Sequence, residues 1–252
     1  MRISVSPDPA ATGAAAAELV AAAARQRPAL VLGVATGSSP RPLYRALADL
    51  VREGLDLSSA AAFALYEYIG LAPEHPESYH AVIAREVTAP LGLDRARVRV
   101  PAGSAADAPA AALAYERDIA RAGGVDLQIL GIGTNGHIGF NEPGSPSDSR
   151  TRVVDLAPQT VADNSRFFPD PSRPVPRQAL TQGVGTILEA REIVLVATGA
   201  HKADAVARAV AGPIDAAVPA SFLQRHPHVT LFLDEAAAAG LSPVAPAMGV
   251  SA

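Results

Sequence analysis

The single lysine of the chain is its first chemically informative residue. The sequence contains 20 Arg and one Lys, Lys202, so arginine serves almost everywhere that a positive charge is required. The compact ammonium group and flexible stem of lysine differ from the rigid guanidinium of arginine, which favours a specific task for Lys202. Lys202 also begins a predicted helix, where a cation is unfavourable for the helix dipole. A bound anion would offset that effect; the alternative is that one surface Lys survived by chance.

An anion-binding loop is suggested by the run Thr36-Gly37-Ser38-Ser39-Pro40, which lies between a predicted buried strand and a predicted helix. Its hydroxyl groups and backbone N–H groups could surround an anion, and the helix N-terminus adds a favourable dipole. The same residues fit an ordinary helix start, with Ser39 as the N-cap and Pro40 in the first turn. Both interpretations stay open, because capping and anion binding use the same geometry.

The densest polar cluster runs from Gly131 to Pro143 and contains His137 and Glu142. Four Gly occur among its first nine residues, so neither a regular helix nor a strand is expected there. A histidine oriented by a carboxylate can move protons near neutral pH. His137 and Glu142 are therefore candidate proton-transfer groups, although such a pair is weak evidence when taken alone.

Composition excludes several other chemistries. The 252 residues include no Cys, which rules out disulfides, a thiolate nucleophile and cysteine-bound metal. A net charge of −4 and scattered Arg residues favour neither a nucleic-acid partner nor an anionic membrane. The Ala-rich run at 14–24 is interrupted by Glu18 and indicates an amphipathic helix, neither a signal peptide nor a membrane span. The default expectation is a soluble cytoplasmic protein.

Apolar runs alternate with helical segments, which predicts an α/β fold: a mostly parallel sheet with helices on both faces. The predicted strands are 30–36, 63–68, 98–101, 126–132, 192–198 and 229–234, and the predicted helices are 14–24, 40–52, 78–87, 108–122, 177–190, 202–211 and 234–240. Ligands collect at the carboxyl ends of such strands, so the polar loops after the first, fourth and fifth strands should hold the site. We expect one domain over 1–252, with a lid at about 159–176 and a flexible tail at 241–252.

Several strings resemble those of the glucosamine-6-phosphate deaminase (isomerase) family, in order from about Leu30 to Ala237. They are VLGVATGSSPRPLYRAL, EYIGLAPEHPESY, GIGTNGHIGFNEPGSPSDSRTR, ADNSRFF, VPRQALTQGVGTILEAREIVLVATGAHKADAV and SFLQRHPHVTLFLDEAAA. The string GHIGFNEP distinguishes the deaminases from the related 6-phosphogluconolactonases. The resemblance implies a Rossmann-like fold and conversion of glucosamine 6-phosphate and water to fructose 6-phosphate and ammonia, with no metal or organic cofactor.

The resemblance also implies roles for individual residues. His137 would assist opening of the pyranose ring, oriented by Glu142 and by Asn135, at a position where the family carries Asp or Asn. An Asn can orient a His by hydrogen bonding but cannot stabilise its cation as a carboxylate would. Arg166 would come from the lid, so that phosphate binding could draw the lid over the sugar. The residues that would hold the phosphate are Thr36, Gly37, Ser38, Ser39, Arg166 and Lys202.

The family's general base is an Asp that moves a proton between C2 and C1 of the open-chain sugar, and this chain departs from it. The motif Asp-Glu-Tyr of the family reads Tyr66-Glu67-Tyr68 here. A phenol with an ordinary pKa of about 10 is protonated at neutral pH. Because general acid–base catalysis contributes about 10²–10⁴-fold, we expect an impaired or altered isomerase step. Glu67 is the adjacent carboxylate, although strand alternation would point it away from Tyr66.

Three functions follow as alternatives. The first is a deaminase/isomerase of glucosamine 6-phosphate, possible as a homo-oligomer. The second is a diverged enzyme that catalyses ring opening, epimerisation or isomerisation of a phosphorylated sugar without loss of ammonia. The third is a sugar-phosphate-binding protein. It is disfavoured because sensors of this fold carry a DNA-binding segment, whereas this sequence shows no basic recognition helix. Activation by an N-acetylated sugar phosphate is not expected, because Val154 stands two positions after Arg152, where hexameric members carry Lys.

Overall fold

Residues 1–168, 170 and 174–241 are described by a computed structural model of the chain. Their strands are β1 (Arg2–Ser6), β2 (Val31–Val34), β3 (Ala61–Ala64), β4 (Tyr66–Tyr68), β5 (Val98–Arg99), β6 (Leu127–Leu130), β7 (Arg152–Asp155), β8 (Gln178–Thr181), β9 (Glu192–Ala197) and β10 (Val229–Asp234). Their α-helices are α1 (Pro9–Gln26), α2 (Arg41–Arg52), α3 (Tyr79–Ile83), α4 (Ala108–Arg121), α5 (Pro158–Asn164), α6 (Val184–Leu188), α7 (Ala203–Ala211) and α8 (Glu235–Ala238).

A seven-stranded parallel sheet forms the centre of the molecule, in the order β1-β10-β9-β6-β2-β3-β5. Its inner strands are buried on both faces, which explains why they read as continuous apolar runs. Alternate residues enter two separate cores: Leu32 packs with α1 and α2, whereas Val31 packs with α4 and α7. The predicted α/β fold, with helices on both faces of a mostly parallel sheet, is confirmed.

A second sheet was not predicted. It has three antiparallel strands in the order β4-β8-β7. The predicted strand at 63–68 breaks at Leu65, so that β3 joins the large sheet and β4 joins the small one. The predicted helix at 177–190 is wrong in its first part, where β8 pairs along both edges, and α6 begins only after Gly183. These strands of three or four residues form through long-range pairing that local sequence does not encode.

Smaller differences concern element ends and the two predicted mobile segments. The edge strand β1 was missed, and the predicted helix at 78–87 consists of α3 followed by a π-helical turn, Ala84–Thr88. Within the predicted lid, α5 leads into a 3₁₀ turn, Ser165–Phe167. Apart from residue 241, the predicted tail lies outside the described residues. No helix in the described ranges is long and apolar enough to cross a membrane.

Candidate active site

The three polar loops that follow β2, β6 and β9 meet at one cavity, as the sequence predicts. The cavity has a volume of about 200 Å³ and lies at the carboxyl ends of these strands. The segment of α5 and the following 3₁₀ turn supplies a further wall, which includes Thr160 and Arg166. The predicted site residues that line the cavity are Thr36, Gly37, Ser38, Ser39, Tyr66, His137, Arg166 and Lys202. The other three, Glu67, Asn135 and Glu142, do not line it.

The loop after β2 does not behave as a simple helix cap. The N-cap of α2 falls on Pro40, and no side chain makes a capping hydrogen bond there. Ser39 is buried, yet its hydroxyl does not serve the helix start that sequence analysis offered as the alternative. We call Thr36–Ser39, Arg166 and Lys202 the anion-binding set, after the role that sequence analysis predicts for them; the structure brings their hydroxyl groups, backbone N–H groups and two cations to one cavity.

Burial and neighbouring charges shift the pKa of Lys202, one of the two cations of the anion-binding set. Burial lowers the pKa of its ammonium group; the negative charge of Asp163 raises that pKa, and the nearby Arg166 lowers it further. Within the described part of the chain, Lys202 forms no ion pair with a carboxylate. An ammonium group that faces a cavity without such a partner is suited to an incoming anion.

His137 lies in a loop whose backbone approaches its ring closely. A Cβ atom at Gly133 would lie 2.2 Å from His137 Cε1, so only glycine leaves room for the imidazole. The Gly133 N–H also donates to the His137 carbonyl oxygen at 2.9 Å and closes the loop. The glycines of the cluster therefore shape the place that the histidine occupies.

The partners of His137 determine which ring nitrogen carries the proton. Asn135 Nδ2 donates to Glu142 Oε2 at 2.8 Å, so Asn135 Oδ1 faces the imidazole, 2.7 Å from Nδ1. Because that oxygen only accepts, Nδ1 must be protonated, and Nε2 has no partner among the described residues. A neutral His137 thus has an unprotonated Nε2 available for proton transfer. We call Asn135, His137, Glu142 and Thr160 the His137 group.

Glu142 remains ionised over a wide pH range. Burial raises the pKa of its carboxyl group, but the nearby imidazole of His137, with hydrogen bonds from Thr160 and Asn135, outweighs this and lowers that pKa to about 2. His137 Nδ1 lies 3.5 Å from Glu142 Oε2, so the carboxylate supports a positive charge on the imidazole. Thr160 was not predicted: its hydroxyl reaches Glu142 Oε1 from α5, and no sequence motif marks this contact.

Tyr66 is held at three points. Its hydroxyl group lies 2.9 Å from Thr36 Oγ1, and its ring packs 4.5 Å from Tyr79 and 4.3 Å from Phe140, measured between centroids. Burial raises the pKa of the phenol above its ordinary value, which keeps it neutral. Tyr66 is therefore held in place by packing and one hydrogen bond, and as a neutral phenol it is not suited to act as a base. We call Tyr66, Tyr68, Tyr79 and Phe140 the aromatic set.

Glu67 does not reach the cavity, and its candidate catalytic role is not supported by its position. Its side chain is buried, with Oε1 accepting from Tyr68 N at 2.8 Å and Tyr79 N at 3.0 Å, and Oε2 accepting from His80 N at 3.0 Å. These bonds hold the start of α3 and so place Tyr79 in the aromatic set. The strand alternation that points Glu67 away from Tyr66 is present in the structure.

Comparison with known proteins identifies the family. The family model described as glucosamine-6-phosphate isomerases/6-phosphogluconolactonase matches residues 8–232. The chain belongs to this family. It is 54% identical to the glucosamine-6-phosphate deaminase of Streptomyces coelicolor over 242 residues, 96% of this chain and 93% of that protein. It is 52% identical to the glucosamine-6-phosphate deaminase of Rhodopirellula baltica over 239 residues, 94% of this chain and 95% of that protein.

Solved structures from the glucosamine-6-phosphate isomerase/6-phosphogluconolactonase family share the fold. A monomeric glucosamine-6-phosphate deaminase matches with a TM-score of 0.92 and 38% identity, over 95% of this chain and all of that one. A 6-phosphogluconolactonase from Trypanosoma brucei matches with a TM-score of 0.74 and 23% identity, over 96% of this chain and 98% of that one. The second likeness concerns the fold alone. Within the family, sequence and structure both place the chain nearer to these deaminases than to that lactonase.

Proposed function

We propose that the chain is an enzyme that acts on glucosamine 6-phosphate, or on a close phosphorylated amino sugar, as a deaminase/isomerase. The observation that carries this proposal is the meeting of the anion-binding set and His137 in one cavity. The anion-binding set would hold the phosphate through backbone N–H groups, hydroxyl groups and the cations of Arg166 and Lys202. No metal or organic cofactor is part of the proposal.

His137 would open the pyranose ring. Its unprotonated Nε2 accepts the proton of the C1 hydroxyl and returns a proton to the ring oxygen, while the bond between C1 and that oxygen breaks and the C1 carbonyl forms. During this step the imidazole becomes positive, and Glu142 stabilises that charge from 3.5 Å. Asn135 fixes the tautomer through its contact with Nδ1. The chain would thus retain the first step of the reaction.

Transfer of a proton from C2 to C1 is the step that Tyr66 would impair. The family resemblance implies an Asp-Glu-Tyr motif, and so a carboxylate, at this position, whereas the phenol of Tyr66 is neutral and hydrogen-bonded to Thr36 Oγ1. Glu67 is not placed to replace the base, because its carboxylate binds three backbone N–H groups. We therefore expect ammonia release to be slow.

A second candidate function is favoured by the same observation at Tyr66. A family member that lacks the base could open the ring of a phosphorylated sugar without losing ammonia, whereas isomerisation or epimerisation would require another base. This function uses the anion-binding set and the His137 group, both of which the cavity brings together. Cytoplasmic location, the absence of nucleic-acid and membrane partners and a possible homo-oligomer remain predictions.

Product analysis by NMR distinguishes these functions. Glucosamine 6-phosphate is incubated with the protein, and ammonia, fructose 6-phosphate and the exchange between the two anomers are followed together. A deaminase releases ammonia and fructose 6-phosphate, more slowly than a relative with Asp at the position of Tyr66. Faster anomer exchange without ammonia identifies ring opening alone. No product and no faster exchange at high protein concentration, matching a His137→Ala control, would reject both enzymatic functions.

A further inference from the structure

A buried carboxylate outside the cavity, Asp234, makes more hydrogen bonds than a helix cap requires. Asp234 ends β10 and is 4% exposed. Its Oδ1 accepts from Ala237 N at 2.7 Å and so caps the short helix α8. Both of its oxygens also lie 2.9 Å from the backbone nitrogen of Gly199, in the loop after β9. The second contact joins the ends of two neighbouring parallel strands.

Gly199 connects this carboxylate to Lys202. Gly199 has a φ of +88°, a conformation that residues with a side chain rarely adopt. Its N–H group is held by Asp234, and its carbonyl oxygen accepts from Lys202 N at 3.0 Å. One residue is thus bonded to the buried carboxylate on one side and to the cavity lysine on the other. The direction in which the Lys202 side chain leaves the backbone depends on this turn.

We propose that Asp234 is a positioning residue for Lys202: by holding Gly199 it fixes the place from which the lysine ammonium group meets a phosphate in the cavity. This inference rests on the phosphate role of Lys202 in the proposed function. The alternative is that Asp234 only begins α8. A cap needs one acceptor, which serine supplies about as well as aspartate, whereas the contact with Gly199 needs the longer reach of aspartate.

The single lysine of the chain allows a direct test. Reductive methylation with ¹³C-formaldehyde keeps the positive charge and labels Lys202 and the terminal amino group. In Asp234→Ser, which retains a cap for α8, we expect the Lys202 methyl resonance to shift or broaden. We also expect the unlabelled variant to bind inorganic phosphate about ten-fold more weakly, because a small displacement of a binding group is costly.

Asp107→Ser is the matched control. Asp107 caps α4 through Ala110 N at 2.9 Å, and neither Asp107 nor α4 lines the cavity. This variant should leave the Lys202 resonance and the phosphate affinity unchanged. If Asp234→Ser does not fold, Asp234→Asn replaces it: this variant keeps the size of the side chain but leaves one oxygen acceptor for the N–H groups of Gly199 and Ala237. We then expect the Lys202 resonance to shift and the phosphate affinity to fall in the same direction but by less, and an unmoved resonance would overturn the inference.

The Lys202→Ala background separates positioning from general damage. If Asp234 acts through the lysine, Asp234→Ser causes no further loss of phosphate affinity in Lys202→Ala. An equal loss in both backgrounds, or an unmoved Lys202 resonance in Asp234→Ser, would overturn the inference. A failure of the proposed function gives a different result: the resonance moves in Asp234→Ser, but Lys202→Ala binds phosphate as well as the unchanged chain does. That result supports the link between Asp234 and Lys202 and rejects the phosphate role.

Discussion

The anion-binding set and the aromatic set line the same cavity but depend on different physical requirements. In the proposed function, the anion-binding set binds the phosphate through several groups at once, from the Thr36–Ser39 loop to Arg166 and Lys202, all of which line the cavity. Transfer of a carbon-bound proton, by contrast, requires one base at one position, and the resemblance to the deaminases predicts that Tyr66, in the aromatic set, occupies that position. We therefore expect sugar-phosphate binding and proton transfer to change independently of each other in this family. The following predictions test whether this separation holds.

Replacing Tyr66 by aspartate should have the largest effect. Tyr66→Asp places a carboxylate in the aromatic set, whereas the half-buried phenol of Tyr66, whose raised pKa keeps it protonated, cannot act as a base near neutral pH. We expect the kcat of ammonia release from glucosamine 6-phosphate to rise about 10²–10⁴-fold, the usual contribution of a general base. Tyr66→Asn is the matched control, because asparagine has the size of aspartate but cannot act as a base. If the two variants perform alike, the site has diverged at more than one position.

Removing Lys202, one of the two cations of the anion-binding set, should have the next largest effect. Lys202→Ala should weaken inorganic phosphate binding about ten- to a hundred-fold, since a hydrogen bond to a charged group contributes about 1.5–3 kcal/mol. Calorimetric titration measures this directly. Arg52→Ala, an exposed arginine paired with Asp49, is the control and should bind phosphate normally.

Lys202→Arg tests the argument from composition separately. The variant keeps the positive charge but replaces the compact ammonium group with a planar guanidinium. We expect phosphate affinity between those of the unchanged chain and Lys202→Ala. Equal affinity would show that the survival of one lysine among 20 arginines was accidental, while leaving the role of the charge intact.

Sequence patterns predicted the large sheet because its inner strands are apolar on both faces, as at β2 and β6. They also predicted that three loops meet, because parallel strands end at one edge. They did not predict the small sheet, in which Tyr66 and Arg152 both pair with Thr181 across long stretches of chain. Local sequence carries no signal for such pairings.

The roles of two side chains near the site, Glu67 and Thr160, could likewise not be predicted from local sequence. The carboxylate of Glu67 is hydrogen-bonded to backbone groups that lie up to 13 residues away, so its motif position suggested chemistry that its place in the structure does not support. Thr160 contacts Glu142 across 18 residues, and only the packing of α5 brings them together. Motifs located the cavity, whereas tertiary contacts decide which carboxylate lies beside His137.

The two glutamates should differ in how pH affects stability. For Glu142, whose folded pKa is about 2, the stabilising contribution should be present above about pH 4.5 and lost as pH falls towards 2. For Glu67, burial raises the folded pKa, so its contribution should be present at low pH and decrease as pH rises above the ordinary glutamate value. Urea unfolding of Glu142→Gln and Glu67→Gln against the unchanged chain, followed as a function of pH, measures both; for Glu142 we expect a difference on the order of 3 kcal/mol. If the contributions of the two glutamates to the free energy of unfolding changed with pH in the same direction, this contrast would be contradicted.

Thr160→Val should have the smallest effect and tests whether the two functions of the cavity are separate at all. Thr160 is buried on α5 and donates to Glu142, while the turn that follows α5 carries Arg166. Valine keeps the shape but removes the hydrogen bond, so kcat should fall about two- to ten-fold as Glu142 supports His137 less well. Thr160→Ser, which keeps the hydroxyl, should restore most of the rate. Phosphate affinity should stay unchanged in both variants, because Arg166 and Lys202 are intact. If Thr160→Val weakens phosphate binding as much as it lowers kcat, α5 couples proton transfer to anion binding, and the two cannot change independently.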